Sequence, residues 1–212
     1  MKNISLKNSI IEHIYQEILS NKYKKSNHIK EVELAKELNV SRAPVREALN
    51  ELVNLDILIK YERKGIFLKE ITKKEILDTY DTKGLIEGFL ASDFILNATK
   101  KDFDKLDLLV IKMGEAAKKS SKGCVNTGDD FHKFCLKYST NDILLDTLEK
   151  INIKSHILFF NNWAKLYTVK DIISRHQKIV NALKSRDVQL TQDVIREHYE
   201  QTGMKIALNI IE

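Results

Sequence analysis

Only one proline and seven glycines interrupt the 212 residues of this chain. Proline lacks the backbone donor that a helix needs, and glycine carries extra chain entropy, so both tend to mark where helices stop. A chain this poor in both is expected to be mainly α, with short connections. The length accommodates two modest domains. A 43% apolar share supplies a core, and 31% charged residues supply a hydrated surface.

No apolar run approaches the roughly 20 residues of a membrane span. Residues Met1 to Ser5 open no signal-peptide core, and Cys124 and Cys135 form neither a CxxC pair nor a disulfide framework. A cytoplasmic protein with no membrane partner is expected. The net charge of +5 is spread along the chain: residues 1–70 carry 13 Lys and Arg against 10 Asp and Glu. Charge alone therefore points weakly to nucleic acid, and position has to make the case.

Leu6, Ile10, Ile14 and Ile18 recur at four-residue steps with Ile11 beside them, which predicts a helix over 5–20. A lysine-rich polar stretch follows at 21–27. A short helix is expected over 31–38, then a tight turn at Asn39 and Val40. Ser41 is placed to cap a third helix running to about 53, with Pro44 in its first turn, where a missing amide costs little. Two short strands, 57–61 and 65–68, enclose the charged turn Glu62-Arg63-Lys64-Gly65. From 72 onward, six helices are expected near 73–97, 101–120, 127–138, 141–164, 169–185 and 189–211. The clearest breaks fall at Ser121-Lys122-Gly123 and Ser139-Thr140-Asn141. The expected domains are 1–70 and 73–212.

Two short helices joined by a tight turn, with arginines leading the second, make a helix-turn-helix. Leu34, Leu38, Val40, Val45 and Leu49 fill the space between the helices, and Ala35 lets them cross closely. Arg42 and Arg46 lie one turn apart and project together. An arginine can reach guanine O6 and N7 bidentately in the major groove. The wing tip at Arg63, Lys64 and Gly65 is suited to phosphates or the minor groove. An ordinary helix pair with a solvated arginine face is the plainer alternative.

The string from Glu33 to Leu49, and above all Ser41-Arg42-Ala43-Pro44-Val45-Arg46-Glu47-Ala48-Leu49, resembles the signature of GntR-family regulators; the resemblance covers 6–69. It implies a winged helix-turn-helix in which Ser41, Arg42, Arg46 and Gly65 touch an operator. Val32 departs from the family's usual arginine, Ala43 from a frequent threonine, and the lysine stretch from a Gly/Pro-bearing loop. The rest of the chain resembles the helical effector domain called FCD of the FadR-type branch, in its shorter, VanR-like version. The matching pieces are Lys83 to Glu87, Asp130-Phe131-His132, Asn141, His176 with Ile179, and His198.

That resemblance implies a homodimer on an inverted-repeat DNA operator, controlled by a small organic acid. It also implies a divalent metal, Zn²⁺ or a similar ion, held by His132, His176 and His198. The family's aspartate, four residues before the first histidine, is Gly128 here, and the neighbouring Asp129 is the expected substitute. Lys83 takes the place of an arginine that reaches the effector's carboxylate; a snorkelling lysine is the competing reading. His13, His28 and His156 match no ligand position and are read as ordinary. Phe159, Phe160 and Trp163 are read as core or interface. Two other functions stay open: a metal-free helical dimerisation module on a DNA-binding head, and a metal-dependent hydrolase. No HExxH-type motif supplies a catalytic base for the hydrolase.

Overall fold

The fold comes from a computed structural model that describes residues 5–20, 22–23 and 28–209. Of the lysine-rich stretch, only Lys22 and Tyr23 are among the described residues, and the expected end of the last helix at 211 lies outside them. The chain divides into two compact units, Met1–Ile71 and Thr72–Glu212.

In the first unit, α1 (Leu6–Leu19) buries Ile10, Ile14 and Ile18, the face its four-residue spacing marks. Helix α2 (Glu31–Glu37) meets α3 (Arg42–Asn54) through Leu34 and Ala35 on one side and Val45, Ala48, Leu49 and Leu52 on the other. Full burial of such side chains contributes about 1.5–3 kcal/mol each for the larger ones. The turn between the helices is closed by the Val40 N–H donating to the Ala35 carbonyl, with Asn39 left-handed at φ 53°. Asparagine tolerates that region better than most residues.

Strands β1 (His28–Ile29), β2 (Leu58–Tyr61) and β3 (Gly65–Leu68) form an antiparallel sheet in the order β1-β3-β2. Strand β1 is an addition to the two expected strands. It pairs His28 with Phe67 and Ile29 with Ile66. The wing turns at Arg63 (φ 61°) and Gly65 (φ 102°). The positive φ at Gly65 favours glycine, and a Cβ there would also press on the His28 ring, which would have to move.

The second unit contains six of the nine helices among the described residues: α4 (Lys73–Asn97), α5 (Lys100–Lys119), α6 (Ser121–Cys135), α7 (Asp142–Leu166), α8 (Val169–Ser185) and α9 (Val188–Asn209). Helix α6 begins six residues earlier than its expected start at 127. Ser120 turns the chain in an extended conformation (φ −165°, ψ 152°) and accepts the Gly123 N–H at 3.0 Å. Its cap lets 121–123, read as a break, form the first turn. Thr72 and Thr168 start α4 and α8 with capping boxes to Glu75 and Asp171. Helices α4 and α9 pack closely because Gly84 and Gly88 lie against the backbone of Arg196 and Gln192, and Gly203 lies against Tyr80. That close approach brings Glu87 and Tyr199 within bonding distance. No helix among the described residues is long and apolar enough to cross a membrane.

Candidate functional site

The arginine-bearing end of the first unit is built by α2 and α3. Ser41 occupies the N-cap position of α3, but its side chain makes no capping hydrogen bond, which corrects the expected cap. Arg42 and Arg46 extend outward with exposed side chains, and Arg63 and Lys64 are exposed at the wing tip. Both arginines lean on one carboxylate. Arg42 Nε donates to Glu31 Oε1 at 2.8 Å; Arg46 donates Nε to Oε2 and Nη2 to Oε1, both at 2.9 Å. The Arg46 bonds, aided by Arg42 and against a smaller cost of burial, hold the Glu31 carboxyl down at about 2.

Inside the second unit, His132 of α6, His176 of α8 and His198 of α9 converge. One ring nitrogen from each lies within 4.8 Å of the others. His132 Nδ1 faces Glu87 Oε1 at 2.5 Å, and His176 Nδ1 faces the Ile172 carbonyl at 2.7 Å. These partners are the kind that orient metal-binding imidazoles and leave Nε2 outward. Burial, then the neighbouring His132, push the His176 imidazole down to about 3; burial likewise keeps His198 well below its usual range. Both are neutral at pH 7, the state that ligates. Nδ1 of His198 is buried without a hydrogen-bond partner. Nitrogens on one Zn²⁺ ion at about 2.0–2.1 Å lie no more than about 4.2 Å apart, so a slight closing of the rings would suffice. The donor set fits such an ion, and the orphaned His198 atom fits it too.

Asp129 does not join the histidines. Its Oδ2 pairs with Lys133 at 2.6 Å and its Oδ1 with His156 at 3.3 Å. One residue along a helix is about 100° of rotation, so moving the carboxylate from 128 to 129 turns it toward α7. The carboxylate nearest the cluster is Glu87 of α4, buried and accepting the Tyr199 hydroxyl at 2.8 Å. Burial pushes its carboxyl up, but His132, Lys83 and Tyr199 outweigh that and hold it below the usual range.

The histidines border a cavity also lined by Lys83, Ser155, His156, Phe159, Arg175 and Tyr199. The cavity has a volume of about 70 Å³. One water needs about 10–15 Å³ of such space, so roughly five waters or a small ligand would fit. Lys83 is buried rather than snorkelling. Its ammonium donates to Ser155 Oγ at 3.2 Å and sits 4.7 Å from the Tyr199 ring centre. Burial drives it below the ordinary lysine range, against the pull of Glu87 and Asp129. Arg175 donates to Gln201 Oε1, the His198 carbonyl and Thr202 Oγ1. Sequence reasoning missed Glu87 and Arg175 as site residues, read His156 as ordinary, and read Phe159 as core or interface rather than cavity lining. The signals for the first two were a carboxylate on an apolar helix face and an arginine beside His176. Cys124 also lines the cavity; burial raises its thiol to about 11, which leaves it inert at pH 7.

Two family models divide the chain as the units do: bacterial regulatory proteins of the gntR family over residues 6–68, and the FCD domain over 78–201. The chain belongs to the GntR family, and its helical unit is an FCD domain. This GntR protein is 25% identical over 187 residues to the uncharacterized HTH-type regulator YdhC of Bacillus subtilis, covering 86% of this chain and 82% of that one. It is 27% identical over 164 residues to the Nta operon transcriptional regulator of Aminobacter aminovorans, covering 77% of each. It is 25% identical over 210 residues to the gluconate operon transcriptional repressor of Bacillus licheniformis, covering 89% and 80%. Among solved structures, Escherichia coli McbR/YncC superposes with a TM-score of 0.79 at 19% identity over 99% of this chain and 100% of that one, a likeness of fold. The protein is a DNA-binding transcriptional regulator and not an enzyme.

Proposed function

We infer that this GntR regulator binds an inverted-repeat operator as a homodimer in the cytoplasm, and that a small carboxylate in the FCD cavity alters its grip. The observation that carries the reading is Lys83. A buried ammonium can donate three hydrogen bonds, and among the described residues it has a single hydrogen-bond acceptor, a neutral hydroxyl. A buried charge so poorly matched is costly, and an anion in the cavity would relieve it. His132, His176 and His198 would hold a divalent ion beside that anion. Such an ion supplies a Lewis-acidic anchor for a carboxylate; the chain's own residues orient the imidazoles and close off water. The metal-free helical module is the reading favoured by Gly128 and the engaged Asp129, and metal content separates the two.

The direct experiment uses a duplex selected in vitro by the wild-type protein, titrated with and without a panel of small carboxylates. An effector acts only through a difference in affinity for two states of the regulator. Coupling of about 1–3 kcal/mol is usual, so one acid should shift operator affinity about 5- to 150-fold. If no acid shifts it, with Zn²⁺ or without, the effector reading is wrong.

The dimer has support of its own. Leu85, Phe89 and Leu96 form an apolar stripe on α4 with 58, 57 and 73% of their surfaces exposed. Large apolar side chains clustered on one face favour association, and twofold symmetry suits a head that reads few base pairs. Replacing Leu85 and Phe89 together by glutamate should convert the dimer to a monomer in light scattering at micromolar concentration, with the helical signal intact. A wild-type monomer, alone and on the selected duplex, would contradict the dimer; an unchanged dimer in the variant would place its interface elsewhere.

A further inference from the structure

Glu31 lies in the first turn of α2, where an acidic side chain is ordinary, since it complements the helix dipole. Its aim is not ordinary. Both carboxylate oxygens are taken by Arg42 and Arg46, the two side chains assigned above to reading bases. We propose that Glu31 sets DNA specificity, holding the two guanidinium groups as one preformed pair and withholding one of their two positive charges from the phosphate backbone. The proposal rests on the DNA-reading assignment of those arginines.

The bonding pattern leaves the reading edges open. Arg42 spends only Nε on Glu31, so both of its Nη groups remain. Arg46 spends Nε and one N–H of Nη2, so Nη1 and the other Nη2 hydrogen remain. Each arginine keeps a two-donor fork of the kind that meets guanine O6 and N7. Glu31 can therefore stay in place when DNA arrives.

The charge at this tip is one acid against two bases, a net of +1. Beside it, Lys30 pairs with Glu33 at 2.7 Å, and Val32 is exposed and uncharged. A bare guanidinium is drawn to any phosphate, whatever the sequence. Removing the Glu31 charge would strengthen binding to all DNA. It would also free two long side chains whose ordering must then be met at binding. Both effects erode discrimination.

The test compares wild type, Glu31→Gln, Glu31→Asp and Arg46→Ala on two duplexes, the selected one and a scramble of the same composition, across salt. Glu31→Gln keeps the shape and removes the charge. It should bind the scramble more tightly, with a salt slope steeper by about 0.9, the contribution of one more neutralised phosphate. The ratio of affinities for the two duplexes should fall about tenfold, from the ordering of two freed side chains. Glu31→Asp keeps the charge but not the reach, so its slope should match wild type while its ratio falls. A ratio within about twofold of wild type in Glu31→Gln would overturn the proposal, on the same ordering argument. So would an equal loss on both duplexes with an unchanged slope, the mark of a merely structural residue. Arg46→Ala separates the two readings. If it lowers the ratio, base reading stands and Glu31 is judged alone; if it does not, both readings fall together.

Discussion

Arg46→Ala is expected to erase most of the regulator's preference for its operator while leaving salt-sensitive binding to any DNA. A bidentate arginine–guanine contact carries about 1–3 kcal/mol of discrimination, or about 5- to 150-fold in the ratio of specific to non-specific affinity. The side chain is exposed and pairs with Glu31 alone among the described residues, so truncation removes no core packing. A change in melting temperature of no more than a degree or two would be consistent with an exposed position. Affinities for selected and scrambled duplexes, measured at matched salt, provide the check. Unchanged discrimination in a folded Arg46→Ala protein would mean that α3 does not read bases.

The helix-turn-helix was legible because its determinants are local. Asn39 through Leu49 sets a tight turn, a helix start and an inner face within a few residues, and α3 follows that pattern. Strand β1 was not legible, since two residues beside a lysine-rich stretch carry no period. The start of α6 was misplaced because Gly123 looks like a break until Ser120 is seen to cap the turn that contains it.

The same division runs through the FCD site. The three histidines were legible only through the family resemblance. The resemblance placed them, and the fold brings their nitrogens together. Asp129 could not be placed, because one residue of helix rotation decides whether a carboxylate faces α7 or the cluster. Glu87 depends on the closeness of α4 to α9, which three glycines in two distant segments allow jointly.

His176→Ala should abolish metal uptake. Loss of an outer partner of a ligand typically costs about 10–100-fold in metal affinity, and loss of a ligand itself costs more. The variant should also lose its response to the effector, while binding to the selected duplex without effector persists, because the altered side chain lies within the helical unit. Glu87→Gln offers a gentler version: it keeps the shape beside His132 Nδ1 and should weaken Zn²⁺ binding by about 10–100-fold. Uptake in the wild type should weaken in acid, since a protonated imidazole cannot ligate. Zn²⁺ titration of the three proteins, with circular dichroism to confirm folding, reads all of this. Full uptake by folded His176→Ala would remove the metal centre.

Regulation by a ligand requires a link between the cavity and the DNA. Calorimetric titration of the acid identified by the panel into the Zn²⁺-loaded regulator, with and without the selected duplex, tests it most directly. Thermodynamic linkage requires DNA to change the acid's affinity by the same factor, about 5- to 150-fold, by which the acid changes the affinity for DNA. A coupling of that size is expected in the wild type, and its loss is expected in His176→Ala, where the acid's affinity should no longer depend on the duplex. Identical acid binding with and without the duplex would contradict it.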